Sequence, residues 1–484
     1  MSVPDERAAE CDFATRRDPR LRFLIPMVVA VAFLMEQLDS TIITTAIPDI
    51  ATSLRATPVQ MNLAVTTYVL ALAIFIPVSG WFADRFGARR TFVAALAVFT
   101  LGSVACGAAW SLPMLVATRA VQGLGGAMMT PVGRLILLRS FPRRDLVKAM
   151  TYTTLPAILG PVAGPLLGGL ITTYASWRWI FLVNVPFGLI GILLALRFVE
   201  DTRAEARTPF DVPGFLLVGT AVAMIQLALE AVGKPLVPTG AVVVLLAAAT
   251  ALLLAFGVHA PRVAHPAVDL RLFRHRSFAV GTLAGGLCRV GLNGAPFLLP
   301  LMLQVGFGLS PVASGSLTFV SSVGAIPVRV VAGRLLRWFG FRTVLGGSAV
   351  LGALAVAGFA ALEPSTPRWI LAGYILLFGL MRSTQFMTSN TLSYADLPAE
   401  ELSRATSVGG VLQQLSVSFG VSTAAMVLGL LSRHGEALTV AGFHRAFLLT
   451  AVVPLLALPG FLLLKAEDGA QVSGHRVGTA RASA

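Results

Sequence analysis

Two carboxylates, Glu36 and Asp39, lie three residues apart inside the first long apolar run, in the stretch Phe33-Leu-Met-Glu-Gln-Leu-Asp-Ser-Thr41. That spacing puts both on one face of a helix. An ionised acid at mid-depth in lipid costs about 3 kcal/mol on insertion scales, so it is rarely there without a function. A pair of acids on one helical face within a bilayer suits a proton or cation site, and transport is the first chemistry implied. Arg119, in the fourth apolar run, is the natural complement. It lies about six residues below the outer end of its helix and Asp39 about eight below its own, depths that agree to about 3 Å at 1.5 Å per residue. The alternative is an arginine that snorkels or pairs for structure alone.

Four more arginines fall within apolar runs. Arg134 and Arg329 are close enough to the inner ends to reach headgroups or loops. Arg289 and Arg382 are about eleven and fourteen residues into theirs, too deep to snorkel easily. With no span acid near them in the second half, they suggest a cavity of positive potential. Pairing to helix carbonyls is the other reading. Gln37, Asn293, Gln385, Asn390, Gln413 and Gln414 also lie within apolar runs. They can line a pathway or serve as interhelical hydrogen-bonding groups.

The elements that must position these residues are membrane spans. Of 484 residues 56% are hydrophobic and only 12% charged, and mean hydropathy is +0.80. Soluble domains carry about a quarter charged residues, so the composition is that of a polytopic membrane protein. Runs long enough to cross a bilayer occur at 23–47, 61–83, 91–110, 113–138, 148–172, 179–199, 212–231, 238–257, 278–303, 311–333, 343–361, 368–390, 405–432 and 443–464, fourteen in all. With the N-terminus cytoplasmic, tails and inner loops hold 26 Lys and Arg residues against 6 in outer loops. This places both termini inside. The first run is too long for the core of a secretory signal and is read as a retained span. The net charge of +14 is scattered over short loops rather than gathered in a patch, which argues against nucleic acid. Cys11, Cys106 and Cys288 show no disulfide or metal-type spacing.

Gly80-Trp-Phe-Ala-Asp-Arg-Phe-Gly-Ala-Arg-Arg90 recurs as Gly333-Arg-Leu-Leu-Arg-Trp-Phe-Gly-Phe-Arg342, offset by 253 residues. The repeat implies two halves that rock about a central site. The expected organisation is a tail at 1–22, a six-helix bundle at 23–199, two extra helices and a linker at 200–277, a second bundle at 278–464 and a tail at 465–484. Gly80 and Gly87 are expected to allow close helix approach and a tight turn. Asp84 and Arg85 are expected to pair with neighbouring helix ends, with Arg89 in the basic cluster behind. Gly160, Gly164 and Gly168 make a smooth face, joined by Gly169, while Pro161 and Pro165 remove backbone bonds and bend the helix.

These motifs, with Leu38 to Pro48, Leu115 to Ala127 and Trp177 to Gly188, resemble those of the major facilitator superfamily, and within it the fourteen-helix drug:proton antiporters. The resemblance covers nearly the whole chain. Gly126 to Leu135 and Met381 to Thr391 resemble one multidrug-resistance branch. It implies an all-α polytopic fold of two six-helix bundles plus two central helices, working as a monomer in the bacterial cytoplasmic membrane. It also implies a role for Arg119 in proton transfer with Asp39, and for the Gly160–Gly169 stretch as the antiporter signature. Glu36 departs from the pattern, where an uncharged polar residue is common, so its part in coupling stays open.

No phosphate-binding glycine loop marks ATP as the energy source, no nucleophile–base set stands out, and no cofactor or metal is expected. Three readings follow. The first is proton-coupled export of small amphipathic compounds or drugs by alternating access. The second is a dedicated exporter of an anionic metabolite or metal chelate, favoured by Arg289 and Arg382. The third is a non-transporting membrane receptor or scaffold.

Overall fold

A backbone in hydrocarbon must satisfy its own hydrogen bonds, and long apolar runs do so as helices. The computed structural model is helical accordingly, with no strand among the described residues, which are 21–141, 143–201, 209–232, 237–398, 401–431, 438–465 and 467–474. Cys11, most of both expected tails and the side chain of Arg329 lie outside them. Thirteen helices among the described residues are long and apolar enough to cross a membrane. They overlap thirteen of the fourteen expected spans. The other, 148–172, falls within a continuous helix, Arg143–Tyr174.

The chain divides into two compact units, with the boundary between Asp211 and Val212. The first holds α1 (Leu21–Ile42), α2 (Asn62–Phe86), α3 (Ala88–Gly107), α4 (Leu112–Ser140), α5 (Arg143–Tyr174) and α6 (Asn184–Phe198). Within it α1 runs along α5, α4 packs on both α2 and α3, and α6 packs on α1 and α3. α4 starts sharply because Ser111 accepts from the Met114 amide and a proline occupies its first turn. α1 tightens into a 3-10 turn at Ile43–Thr45 before a short helix, Ile47–Ser53. On the way its hydroxyls turn inward: Ser40 and Thr41 donate to the Gln37 carbonyl and Thr44 to that of Thr41.

The second unit holds α7 (Val212–Ala231), α8 (Thr239–His259), α9 (Gly285–Leu301), α10 (Pro311–Val323), α11 (Ala325–Ala357), α12 (Arg368–Ala395), α13 (Leu402–Leu431) and α14 (Val440–Thr450). α9 runs along α13 as α1 does along α5, and α12 packs on α10 and α11 as α4 does on α2 and α3. The sequence repeat is therefore a repeat of packing. Its two turn glycines adopt backbone angles that other residues rarely take, φ 101° at Gly87 and φ 71° at Gly340. Gly340 breaks α11 in two, which separates the tenth and eleventh expected spans. The inserted pair α7 and α8 belongs to the second unit, with α7 packed on α13. The linker after α8 is pinned to the start of α13 by Arg404–Asp269 at 2.7 Å and His275–Glu401 at 2.8 Å.

Candidate functional site

Asp39 is at the centre of a buried polar network in the first unit. Arg119 Nη1 donates to its Oδ2 at 2.5 Å, and neither side chain has any exposed surface. Gln122 Nε2 and Asn184 Nδ2 both donate to Oδ1, at 2.8 and 3.1 Å. The same Gln122 nitrogen donates to Ser103 Oγ at 2.7 Å, and Gln122 Oε1 accepts from Arg119 Nη1 at 2.8 Å. Arg119 is held from its other side by the Ala64 carbonyl at 3.2 Å, and its guanidinium lies over the Tyr68 ring at 4.0 Å. Four helices, α1, α3, α4 and α6, thus converge on one carboxylate, with α2 backing the arginine. The pairing inferred from matching depths is made.

Glu36, one turn earlier on α1, is buried but held differently. Thr130 Oγ1 of α4 donates to its Oε2 at 2.5 Å, and among the described residues no cation forms an ion pair with it. The two acids share a face yet belong to separate hydrogen-bonding sets.

The glycine face of α5 meets α1 at backbone contact. A Cβ on Gly160 would come within 2.9 Å of the Leu38 nitrogen. One on Gly164 would lie 2.0 Å from Thr41 Oγ1, and one on Gly168 would lie 2.3 Å from the Ile42 carbonyl oxygen. Thr45 Oγ1 donates to the Pro165 carbonyl at 3.3 Å. Gly169 is buried beside them, and Gln37 packs on Gly160 rather than reaching the Asp39 network.

At the α2–α3 turn Asp84 pairs with Arg139 at the end of α4, 2.7 Å away. Arg85 lies over the Trp81 and Phe86 rings instead of joining a helix end. Arg89 donates to the Val199 carbonyl at 3.4 Å. Gly87 is packed against Asp201, whose carboxylate would lie 2.1 Å from an added Cβ. The close approach expected at Gly80 is not made, since a Cβ there would meet nothing within 4 Å. Its position two turns before the helix end leaves it on an open face.

In the second unit Arg289 Nη2 donates to Asn390 Oδ1 at 2.6 Å, and Arg382 Nη2 to Asn293 Oδ1 at 3.1 Å. Both guanidiniums flank the Phe386 ring, at 5.3 and 4.9 Å from its centroid. Gln385 is buried nearby on α12 and accepts from Ser348 Oγ. Gln413 is exposed and takes no part in this set.

Sequence reasoning left two groups of functional neighbours unassigned. Gln122 and Asn184 stood inside quoted motifs, and Gln122 follows Arg119 by one turn, which was a usable signal. The α7–α13 network had none beyond a lone acid in the last turn of a span. There Gln226 and Glu230 of α7 bond Ser418 and Ser422 of α13, with Ser422 Oγ donating to Glu230 Oε1 at 2.9 Å.

Two helical units of repeated packing, with an ion pair buried in the spans of the first and amide networks in both, point to a multi-pass membrane transporter rather than an enzyme. A family model described as Major Facilitator Superfamily matches residues 29–421, and the chain belongs to that family. It is 38% identical over 437 residues to the "Putative multidrug resistance protein MdtD" of Pectobacterium atrosepticum, covering 90% of this chain and 94% of that one. The protein of the same name from Serratia proteamaculans is 37% identical over 434 residues, covering 89% and 91%. Among solved structures, a D-xylose-proton symporter superposes with a TM-score of 0.66 at 15% identity, over 92% of this chain and 99% of its own. A point mutant of the nucleoside transporter NupG gives 0.64 at 13% identity, over 91% and 99%. At such identities these two speak for the fold alone.

Proposed function

We propose that the chain is a proton-coupled exporter of small amphipathic compounds, drugs among them, acting by alternating access in the bacterial cytoplasmic membrane. The observation that carries this reading is the fully buried Asp39–Arg119 pair, a titratable group whose charge has one designated partner. Relatives named as multidrug resistance proteins support the substrate class.

In the proposed cycle Asp39 is ionised while paired and neutral once it takes a proton. Protonation removes the ion pair without stranding Arg119, because Gln122 Oε1, the Ala64 carbonyl and the Tyr68 face still hold it. Gln122 and Asn184 then have one strong acceptor fewer, which loosens α3, α4 and α6 from α1. Glu36 adds a second acid to the same face, and its role is to set the local charge that Asp39 experiences. One proton moving inward across roughly 150 mV supplies about 3.5 kcal/mol from the field, enough for a gradient of a few hundredfold. Dedicated export of an anionic metabolite or metal chelate is the second reading, favoured by the arginine pair around Phe386.

The test is flux into everted membrane vesicles for a panel of lipophilic cations and organic anions, with and without a proton gradient. Asp39→Asn is expected to abolish gradient-driven uptake while the protein remains inserted. Uphill transport retained by that variant would reject the coupling site, and no proton-dependent flux of any compound would favour a receptor or scaffold.

A further inference from the structure

Four nitrogen donors in the second unit have no acceptor: Arg289 Nε, Arg382 Nε, Asn293 Nδ2 and Gln385 Nε2, all inaccessible to solvent. They are neighbours by register. Arg289 and Asn293 are one turn apart on α9, and Arg382, Gln385 and Phe386 share a face of α12. The two guanidinium carbons flank one ring, so they are no farther apart than the sum of their distances to it. The residues are built in, with Arg289 4% exposed, Asn293 3% and Gln385 0%.

The surrounding acceptors are already used. Asn390 Oδ1 takes Arg289, Asn293 Oδ1 takes Arg382, and Gln385 Oε1 takes Ser348. Turning Asn293 over would face donor with donor, so its NH₂ end is committed; Gln385 turned over would donate to the Ser348 hydroxyl, which also bonds the Leu345 carbonyl, so its nitrogen is not a committed donor. The unit's ion pairs among the described residues are at its loops, at Asp269, Glu401 and Asp468. A buried and a half-buried guanidinium with the Asn293 amide donor, and no acceptor for Arg289 Nε, Arg382 Nε or Asn293 Nδ2 among the described residues, call for a ligand that only accepts and carries negative charge. Each Nη2 keeps its amide oxygen, and a carboxylate oxygen can accept from the free Nε–H beside it. Arg382, Phe386 and Asn390 are half-buried, giving the cluster an open side.

We propose that Arg289, Arg382 and Asn293 form a binding site for the carboxylate of a small organic acid. As a substrate site it rests on the export reading above; as a binding site it does not.

The experiment measures binding of radiolabelled 2-naphthoate, its neutral amide and the 2-naphthylmethylammonium cation to the full-length protein in lipid nanodiscs. Naphthoate is expected to bind about 30-fold tighter than the amide, the scale of a desolvated charge pair, and the cation weakest. Arg289→Gln/Arg382→Gln is expected to reduce naphthoate to the level of the amide. Equal binding of acid and amide by the parent chain, or a preference that survives in the double variant, would overturn the proposal. Should the double variant fail to assemble, Arg382→Lys keeps the charge, removes the Nε–H and is expected to lower the preference severalfold; an unchanged preference would overturn the site. Proton-driven flux of a lipophilic cation, measured in parallel, separates the two readings. A parent that prefers the acid but moves nothing with protons supports the site and rejects export. A parent that exports but does not prefer the acid rejects the site alone.

Discussion

In the first unit the buried acid Asp39 faces Arg119, and both its carboxylate oxygens accept from α4 or α6, while Arg119 Nη2, Asn184 Oδ1 and the Tyr68 hydroxyl are left without partners among the described residues. In the second unit the same packing scheme encloses Arg289 and Arg382 with amides, a phenylalanine and no acid. The offset that relates Gly87 to Gly340 also relates Glu36 to Arg289. One helical framework thus carries opposite charge at the same place in its repeat. The framework depends on helix contacts that either charge can satisfy, so the two interiors are free to specialise, one for a proton and one for an anion in the reading proposed above.

The sharpest way to break this comparison is to remove an arginine from each unit. Arg119→Gln leaves a desolvated carboxylate behind and is expected to destabilise the first unit by about 3–5 kcal/mol. Arg382→Gln leaves only neutral acceptors and is expected to be neutral or stabilising. Equilibrium unfolding of the purified variants in mixed micelles measures both, and equal losses would show that the units are not specialised in this way.

A smaller effect distinguishes the helix seams. The α5 face with Gly160, Gly164 and Gly168 is replaced at the same offset in α13 by Gln413, Val417 and Val421. Gly164→Val would push α5 off the α1 backbone, so gradient-driven flux is expected to fall at least tenfold, the range of an overpacked contact. Gly410→Val, where an added Cβ meets nothing within 4 Å, is expected to leave flux unchanged. Similar losses in the two would remove the seam from the argument.

The turn glycines give the smallest difference. Gly87→Ala and Gly340→Ala both incur about 1–3 kcal/mol of backbone strain, since positive φ with extended ψ is open essentially to glycine alone. Gly87→Ala additionally collides with the Asp201 carboxylate, which pairs with Arg90 at 3.0 Å. Thermal unfolding is expected to shift further for Gly87→Ala. Equal shifts would mean that Asp201 moves aside freely.

Much of this was legible before the fold. The meeting of Asp39 and Arg119 could be read because rise per residue is constant, so sequence position converts to depth within a span. Rotation about the helix axis does not convert that way. For this reason Gln122 and Asn184 went unassigned although both stood in recognised motifs, and Gly80 was expected to pack when its face is open. The partner of the α5 glycine face also needed the crossing of two distant helices to be known.

By itself the sequence determined that the chain is a bundle of spans, that its halves repeat and which charged residues lie deep, because hydropathy, repeat offset and helical rise are local quantities. The tertiary structure decided which deep charges are matched. It gave Asp39 three donor contacts and left Arg289 and Arg382 with free Nε–H groups. Hydrogen bonding acts over about 3 Å, so whether a buried charge has a partner depends on how helices distant in sequence are turned toward one another.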